Sequence, residues 1–440
     1  MLKENINMKN EEELRSKIEK YFDRLWPIMR SITGKGARQT LDIISELIPL
    51  SITEIKTGTI AFDWIVPEEW IFRSAVIKDL KGNVLLDAEQ NNLHVVNYSL
   101  GINAVISREE LHKHLYTLED QPDAIPYVTS YYERRWGFAL PYTLKQSLKD
   151  EFYEVFIDAE HVDGTLTYGE FVLPGLTDEE IIFSTYVCHP SMANNELSGP
   201  LTAAFLANQL MQENKSTRKF TYRFIFIPET IGSIVYLSKN SERMMRTLKA
   251  GYVLTCLGDK KHFTLKKSRR SNTIADIVAM QAFHELGGNY EIREFFPDRG
   301  SDERQYCSPG FNMPFCSIMR SVYGEYPEYH TSLDNKSFID FLSLMESISL
   351  CKSIVDIFEK NKIFKRINPF CEPNLGRRNI YSTLNHKKNN ESSVLMWVLN
   401  YSDGENSVVD IAKKSGYKVD DIYRVSNACM QHGLLEEIIC

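Results

Sequence analysis

Residues 181–200 read IIFSTYVCHPSMANNELSGP, and this stretch decides the fold. From Ile181 to Cys188 the run is nearly all apolar or small, with no polar alternation. Such a run predicts a strand buried on both faces, as in a mostly parallel sheet covered by helices. It ends on His189-Pro190, where proline fixes the backbone as the chain leaves the sheet. A helix is then expected in GPLTAAFLANQLMQEN. In open α/β sheets, ligands and reactants gather outside the carboxyl ends of the strands.

Two further segments repeat the pattern. YRFIFIPETIGS runs apolar from Tyr222 to Ile227, presents Glu229, and leads into a helix in SIVYLSKNSERMMRTL. The apolar stretch from Phe315 to Met319 is followed by YPEYHTSLD, which presents His330 and Asp334. YVLTCL supplies another strand, TIADIVAMQAFHELG a helix, and Phe338 to Lys360 a long helix. The predicted fold class is therefore α/β, with a mostly parallel sheet.

Outside this alternation the pattern changes. Residues from about Glu11 to Leu50 read as helical, with apolar residues at Ile18, Tyr21, Phe22, Leu25 and Trp26 and again at Leu41, Ile44, Leu47 and Ile48. Residues 51–173 hold short alternating runs, turn signals and many aromatics, and read as an inserted β-rich domain. The α/β domain is expected from 1–50 together with 174–375. Residues 376–440 read as three helices and a short strand, a winged-helix-like unit. An interaction or packing role is expected for that unit, because Asp420, Asp421, Glu436 and Glu437 outweigh Lys418 and Arg424 where DNA would need clustered basic charge.

Composition narrows the function classes. The 440 residues allow two or three domains. A net charge of −8 gives no broad attraction to nucleic acid or anionic lipid. The polar N-terminus reads as no secretory signal, and no apolar run approaches a membrane span. Eight cysteines without CxxC spacing read as reduced thiols of a cytoplasmic protein. The expected partners are a small-molecule or peptide-like substrate, with homo-oligomers open, and neither nucleic acid nor membrane.

Two imidazoles and several carboxylates at one sheet edge point to a zinc site with a general base. His189 and His330 are the expected ligands, each against the bland reading of a packed or loop histidine. Glu196 is expected as a third ligand, although Asn195 or Ser198 beside it could simply cap the next helix. Glu229, at the end of a central strand, needs a partner to be buried, either an arginine or a metal-bound water beside which it acts as base. Asp334 is expected to hold the second ring nitrogen of His330. Asp302, Glu303 and Arg304, in DRGSDERQYC, are expected at the site edge or on the substrate. A nucleophilic Cys188/His189 pair is set aside, because neighbours on a strand point to opposite faces.

The order His…NNELSG…PETIGS…SDE…YHTSLD resembles the zinc aminopeptidases of the M28 type. Nearly the whole chain resembles a bacterial family with an aminopeptidase-like domain, DUF2172 or DUF4910, associated with polysaccharide biosynthesis. The resemblance implies a zinc-exopeptidase fold, with Glu229 at the base position and His189 and His330 at ligand positions. It also marks departures: Asn195 stands where the family has its bridging aspartate, Thr230 where a metal carboxylate follows the base, and Thr255 near where another aspartate belongs. One zinc per chain is therefore expected, serving an aminopeptidase or amidohydrolase-type hydrolysis. The alternative is an enzyme-derived binding or scaffold protein without catalysis.

Overall fold

In the computed structural model, described over residues 2–213, 218–378, 380 and 391–438, the opening strand is Glu180–Tyr186, buried along its whole length. It is β3 of an eight-stranded mixed sheet formed by β1 (Ser51–Lys56), β2 (Thr165–Leu173), β3, β4 (Thr221–Ile227), β5 (Leu248–Leu254), β6 (Phe263–Lys266), β7 (Tyr290–Arg293) and β8 (Phe315–Met319). The spatial order is β1-β2-β4-β3-β5-β8-β6-β7. The centre, β4-β3-β5-β8, is parallel, as the apolar runs predict. β1 and β2 add antiparallel at one edge, and β6 pairs antiparallel with β8 near the other.

An aromatic band locks the register of the central strands. Phe183 stacks on Phe224 at 5.4 Å and on Tyr252 at 5.5 Å, and Phe224 continues to Phe171 at 6.4 Å. Rings at matched register positions on neighbouring strands stabilise the sheet as cross-strand pairs. Helix Ser198–Gln212 follows β3 and is buried along most of its length. It enters so closely that a Cβ on Gly199 would lie 2.4 Å from the Leu254 carbonyl oxygen. Only glycine fits there, which is the physical meaning of the Ser198-Gly199 pair.

The insertion folds around a four-stranded antiparallel sheet, in the order Val84–Asp87, Glu69–Asp79, Phe152–Val162, Ile102–Ser107. Its expected limits at 51 and 173 fall on strands of the main sheet, since Ser51–Lys56 and Thr165–Leu173 pair there. The N-terminal helical stretch is two helices, Leu2–Leu25 and Lys35–Ser45. The loop between them starts near Pro27 and carries Arg30, a side chain the periodicity does not single out.

The chain divides into two compact units, Met1–Ala275 with Asn289–Ile348, and Asp276–Gly288 with Ser349–Cys440. The second contains helices Glu391–Tyr401, Val408–Ser415 and Val419–Gln431 and an antiparallel sheet with Ile363–Arg366 between Asp403–Ser407 and Leu435–Ile438. Ser407 and Asp410 form a capping box, and Gly416 closes the same helix with φ 75°. The three helices and the last strand match the sequence pattern. Ile363–Arg366 lies before the expected boundary at 376, and residues 381–390 and 439–440 of the expected tail lie outside the described residues. Among the described residues no helix is long and apolar enough to cross a membrane.

Candidate active site

The carboxyl ends of β3, β4 and β8 deliver His189, Glu229 and the loop bearing His330 to one place. The ring centroids of His189 and His330 are 5.6 Å apart. His189 Nε2 lies 3.5 Å from Glu229 Oε2, beyond a good hydrogen bond, so the two atoms face a shared space. Tyr127 sits edge-on to both imidazoles, 5.2 Å from each. Tyr329 stacks on His330 at 3.9 Å, and Tyr186 packs against His189 at 5.0 Å.

Glu196 is turned toward the strand end that bears His189. Residues Ala193–Leu197 form a π-turn ahead of the next helix, and this extra residue per turn sends the Glu196 side chain back toward the strand end. Its Oε2 accepts from the His189 Nδ1–H at 2.8 Å and from the His189 backbone N–H at 3.0 Å. Its Oε1 faces Arg30 Nε at 3.5 Å, with both side chains fully buried. Arg30 also donates to the His189 carbonyl at 2.8 Å and the Leu25 carbonyl at 2.7 Å. Oε2 thus holds His189 at Nδ1, Nε2 is the ring nitrogen that faces Glu229, and Glu196 Oε1 has no hydrogen-bond partner among the described residues. Metal-ligating histidines are typically held this way.

Asp334 departs from its expected role. It accepts from the backbone N–H groups of Asn194 at 2.6 Å and Asn195 at 2.8 Å, so it caps the π-turn instead of holding His330. Burial pushes its carboxyl up to about 7 despite these bonds. Asp302 accepts from the Thr230 N–H at 2.7 Å and the Ser233 hydroxyl at 2.8 Å, at the start of helix Ile231–Thr247. Burial, followed by the neighbouring charge of Glu229, raises it to about 8. Glu303 is paired with Lys266 at 2.9 Å, both fully buried, and also accepts from Tyr323. Asp302 and Glu303 are therefore both held by neighbouring groups, with Asp302 Oδ2 buried and without a hydrogen-bond partner among the described residues. Arg304 follows Glu303 in the short helix Glu303–Tyr306, and its Nε has no hydrogen-bond partner among the described residues.

Glu229 stands on a strained turn. Thr230 has φ 64° and ψ −77°, and the Ile231 N–H reaches the Glu229 carbonyl at 2.8 Å, a γ-turn of positive φ. The Glu229 N–H points at Cys188 Sγ at 3.3 Å, and Ser301 donates to Oε1 at 2.6 Å. Burial is the main influence raising its carboxyl above the ordinary range, partly countered by His189 and Ser301. His330, also at positive φ (55°), is pushed down to about 3 by burial and then by His189, so its ring is neutral. Strained backbone of this kind concentrates at functional sites.

Cys188 lies past the strand end, so the alternation that set it aside does not apply; its Sγ is 3.7 Å from His189 Nδ1. Burial pushes its thiol up to about 11. For His189, burial acts to lower the pKa and is outweighed by Cys188 and Glu196, leaving it raised. With Cys188 a neutral thiol at ordinary pH, the charge acting on the ring is that of Glu196. Cys188, His189 and Glu196 also form the one cluster of potential ligands with mutually close donor atoms among the described residues. Two of its atoms are already joined by the Nδ1–Oε2 hydrogen bond.

The insertion reaches into this centre. The Tyr127 N–H donates to the His330 carbonyl at 2.7 Å, and the Ser332 N–H to the Ile125 carbonyl at 2.8 Å, with Pro126 bridged to Thr331. Ser301, from the SDE motif, thus joins the site, as do Arg30 and Tyr127, which no motif announces. The interruption of helical periodicity at Trp26-Pro27 is the only local signal, and it points to the Arg30 loop.

A family model described as a domain of unknown function, DUF4910, matches residues 19–361, and a winged helix-turn-helix model matches 362–437. This chain belongs to the DUF4910 family. A Clostridium acetobutylicum relative in this family, provisionally named a polysaccharide biosynthesis protein with an aminopeptidase-like domain, is 42% identical over 433 residues, covering 96% of this chain and 98% of the relative. A crystal structure of a provisionally named peptidase from the same organism has a TM-score of 0.91 and 40% identity, covering 99% of both chains. The zinc aminopeptidase BSAP of Bacillus subtilis has a TM-score of 0.57 and 11% identity, over 78% of this chain and 94% of its own. A likeness at that identity establishes the fold: this DUF4910 protein combines an M28-type α/β fold with a C-terminal winged helix.

Proposed function

We propose that the protein is a zinc-dependent hydrolase of amide bonds, aminopeptidase-like, acting in surface-polysaccharide biosynthesis. The observation that carries this reading is the pairing of a free His189 Nε2 with Glu229 at 3.5 Å, while Glu196 holds the opposite ring nitrogen. The donor set fits one metal. His189 Nε2 and the neutral His330 ring would hold it, together with Asn195 Oδ1, a buried acceptor without a partner among the described residues. Two histidines and a carboxylate form an accepted catalytic zinc shell, and here a neutral amide oxygen would stand in the carboxylate's place. Zinc there supplies Lewis acidity toward an amide carbonyl and toward water.

The chain's own residues do the rest. Glu229 takes a proton from water at Oε2 and returns it to the leaving amine, a role suited to a carboxyl whose pKa burial has raised. Ser301 fixes Oε1, so the other oxygen is the one presented. Tyr127, Tyr186 and Tyr329 wall the imidazoles and exclude water from their flanks. The relative's name supports the polysaccharide setting. Metal analysis of the purified full chain tests the reading, together with turnover of aminoacyl and N-acylated sugar amides by wild type and Glu229→Gln. Zinc retained by wild type, lost in His189→Ala, and turnover lost in Glu229→Gln are expected. No zinc after saturation would sink the site.

A second reading, an enzyme-derived binding protein, is favoured by one observation. The positions of the missing carboxylates are knitted into neutral hydrogen bonds: Asn195 Nδ2 donates to Tyr186 at 2.8 Å, and Thr255 shares a hydrogen bond with the same phenol at 2.5 Å. Metal binding without turnover of any amide would select it.

A further inference from the structure

The insertion carries a cavity of about 370 Å³, walled by Tyr98, Tyr131, Tyr132 and His161 and rimmed by Glu68 and Arg134. Its size is within the range of small-molecule sites. Tyr131 belongs to this cavity and also adjoins the candidate active site, since its hydroxyl meets that of Tyr127 at 2.6 Å.

The cavity is built at a conformational cost. Tyr98 has φ 69°, a region that bulky residues avoid. Several bonds hold it there. Asn97 donates to the Arg30 carbonyl at 2.8 Å, Ser31 donates to Asn97 at 2.6 Å, and Ser130 donates to the Tyr98 carbonyl at 2.7 Å. The strained residue packs its ring against His161 at 4.5 Å and Tyr131 at 5.9 Å. Strain of this kind persists where the surroundings over-determine it, and ligand clamps are among its usual places.

The rim selects a chemical class. Glu68 is ion-paired with Arg134, and Glu133 lies beside them. Two carboxylates against one guanidinium disfavour an anion. Arg134 disfavours a cation at the same point. An apolar side chain would strip water from Glu68 and Arg134 without replacing its hydrogen bonds, which is costly. A neutral ring bearing hydroxyls meets every wall: its flat face lies on the tyrosines, its hydroxyls donate to the carboxylates, and they accept from Arg134. We propose that this cavity is the specificity pocket of the hydrolase and takes a neutral hydroxylated ring, a sugar, joined to the amide that reaches His189 and Glu229. This rests on the hydrolase reading of the neighbouring site.

Equilibrium binding to the full chain tests it without turnover. N-acetyl-D-glucosamine is the probe and L-leucinamide the comparison, followed by saturation-transfer NMR. The expected result is saturable binding of N-acetyl-D-glucosamine, weakened at least tenfold in both Tyr132→Ala and Arg134→Ala and unchanged in His189→Ala. Tyr132 is 62% exposed and the Arg134 side chain 64%, so both replacements leave the fold intact. Binding of L-leucinamide alone, or of neither probe, overturns the proposal. So does sugar binding that survives both pocket variants, or that is lost in His189→Ala, since either outcome puts the sugar elsewhere. The assay needs no zinc, so failure of the metal site and failure of the pocket are separate results.

Discussion

One carboxylate oxygen, Glu196 Oε2, accepts both the ring Nδ1–H and the backbone N–H of His189, at 2.8 and 3.0 Å. The residue next to Asn195 thus acts on the histidine. Glu196→Gln is expected to weaken zinc about 10- to 100-fold, as loss of a partner behind a ligand does, without abolishing binding. Chelator competition measures this. Zinc content that vanishes as completely as in His330→Ala would restore Glu196 as a ligand.

Arg30 is the counter-charge of that carboxylate, and both are sealed from solvent. Arg30→Ala would leave Glu196 charged and unpaired in the interior, at a cost of about 3–5 kcal/mol. Arg30→Lys should recover only part of this, because a point charge cannot serve Glu196, His189 and Leu25 together. Urea denaturation at pH 7 decides; a change under about 1 kcal/mol for alanine would show that the pair contributes little.

Asp302 gives a pH signature. Its folded pKa, about 8, is raised above the unfolded value, so the folded state binds the proton more tightly. Its contribution to stability is complete below the unfolded pKa and fades as pH rises through the folded one. Asn cannot ionise and keeps the acceptor oxygen for Thr230 and Ser233. Between pH 5 and pH 8, Asp302→Asn should therefore gain on wild type by at least about 1.4 kcal/mol, the equivalent of one pKa unit. Thermal melts across that range that remain parallel would contradict the shift.

Ser301 donates to the oxygen of Glu229 turned away from His189, which favours the ionised carboxylate. Removing that donor in Ser301→Ala should move the acidic limb of kcat/KM to higher pH. A pH–rate profile that keeps its limb while falling uniformly in height would mean that Ser301 serves only to pack the loop.

The winged helix should not grip duplex DNA. Around helix Val419–Gln431, Lys360 is engaged by Asp420, Lys362 by Glu437 and Arg424 by Glu391, which leaves little clustered basic charge for a phosphate backbone. A fluorescence titration of the full chain with duplex DNA at 150 mM salt should show no saturable binding.

The sequence made the central strands legible because each is an uninterrupted apolar run ending on a polar residue. Glu180–Tyr186 and Thr221–Ile227 could hardly be anything else. It also brought His189, Glu229 and His330 together through the rule that strand ends converge. The hydrogen bonds of Glu196 and Asp334 are not legible in the sequence, because they are made around the π-turn Ala193–Leu197, which no residue type encodes. Ser51–Lys56 and Thr165–Leu173 were read as part of the insertion because pairing is non-local, and a short strand does not name its neighbour. Tyr127 was invisible for the same reason, since its importance lies in contacts made far along the chain.

The Ile125–Tyr127 strip bears on how this molecule can be divided. The Ile125 N–H donates to the Ser332 hydroxyl across 207 residues, and the Tyr127 N–H donates to the His330 carbonyl. His330 reaches its left-handed conformation between those contacts. A shortened chain that keeps the α/β sheet and drops the insertion would retain every strand end yet lose the clamp on one of its two histidines. The insertion is therefore a structural part of the candidate site. A unit that keeps the His330 loop held in this way contains both.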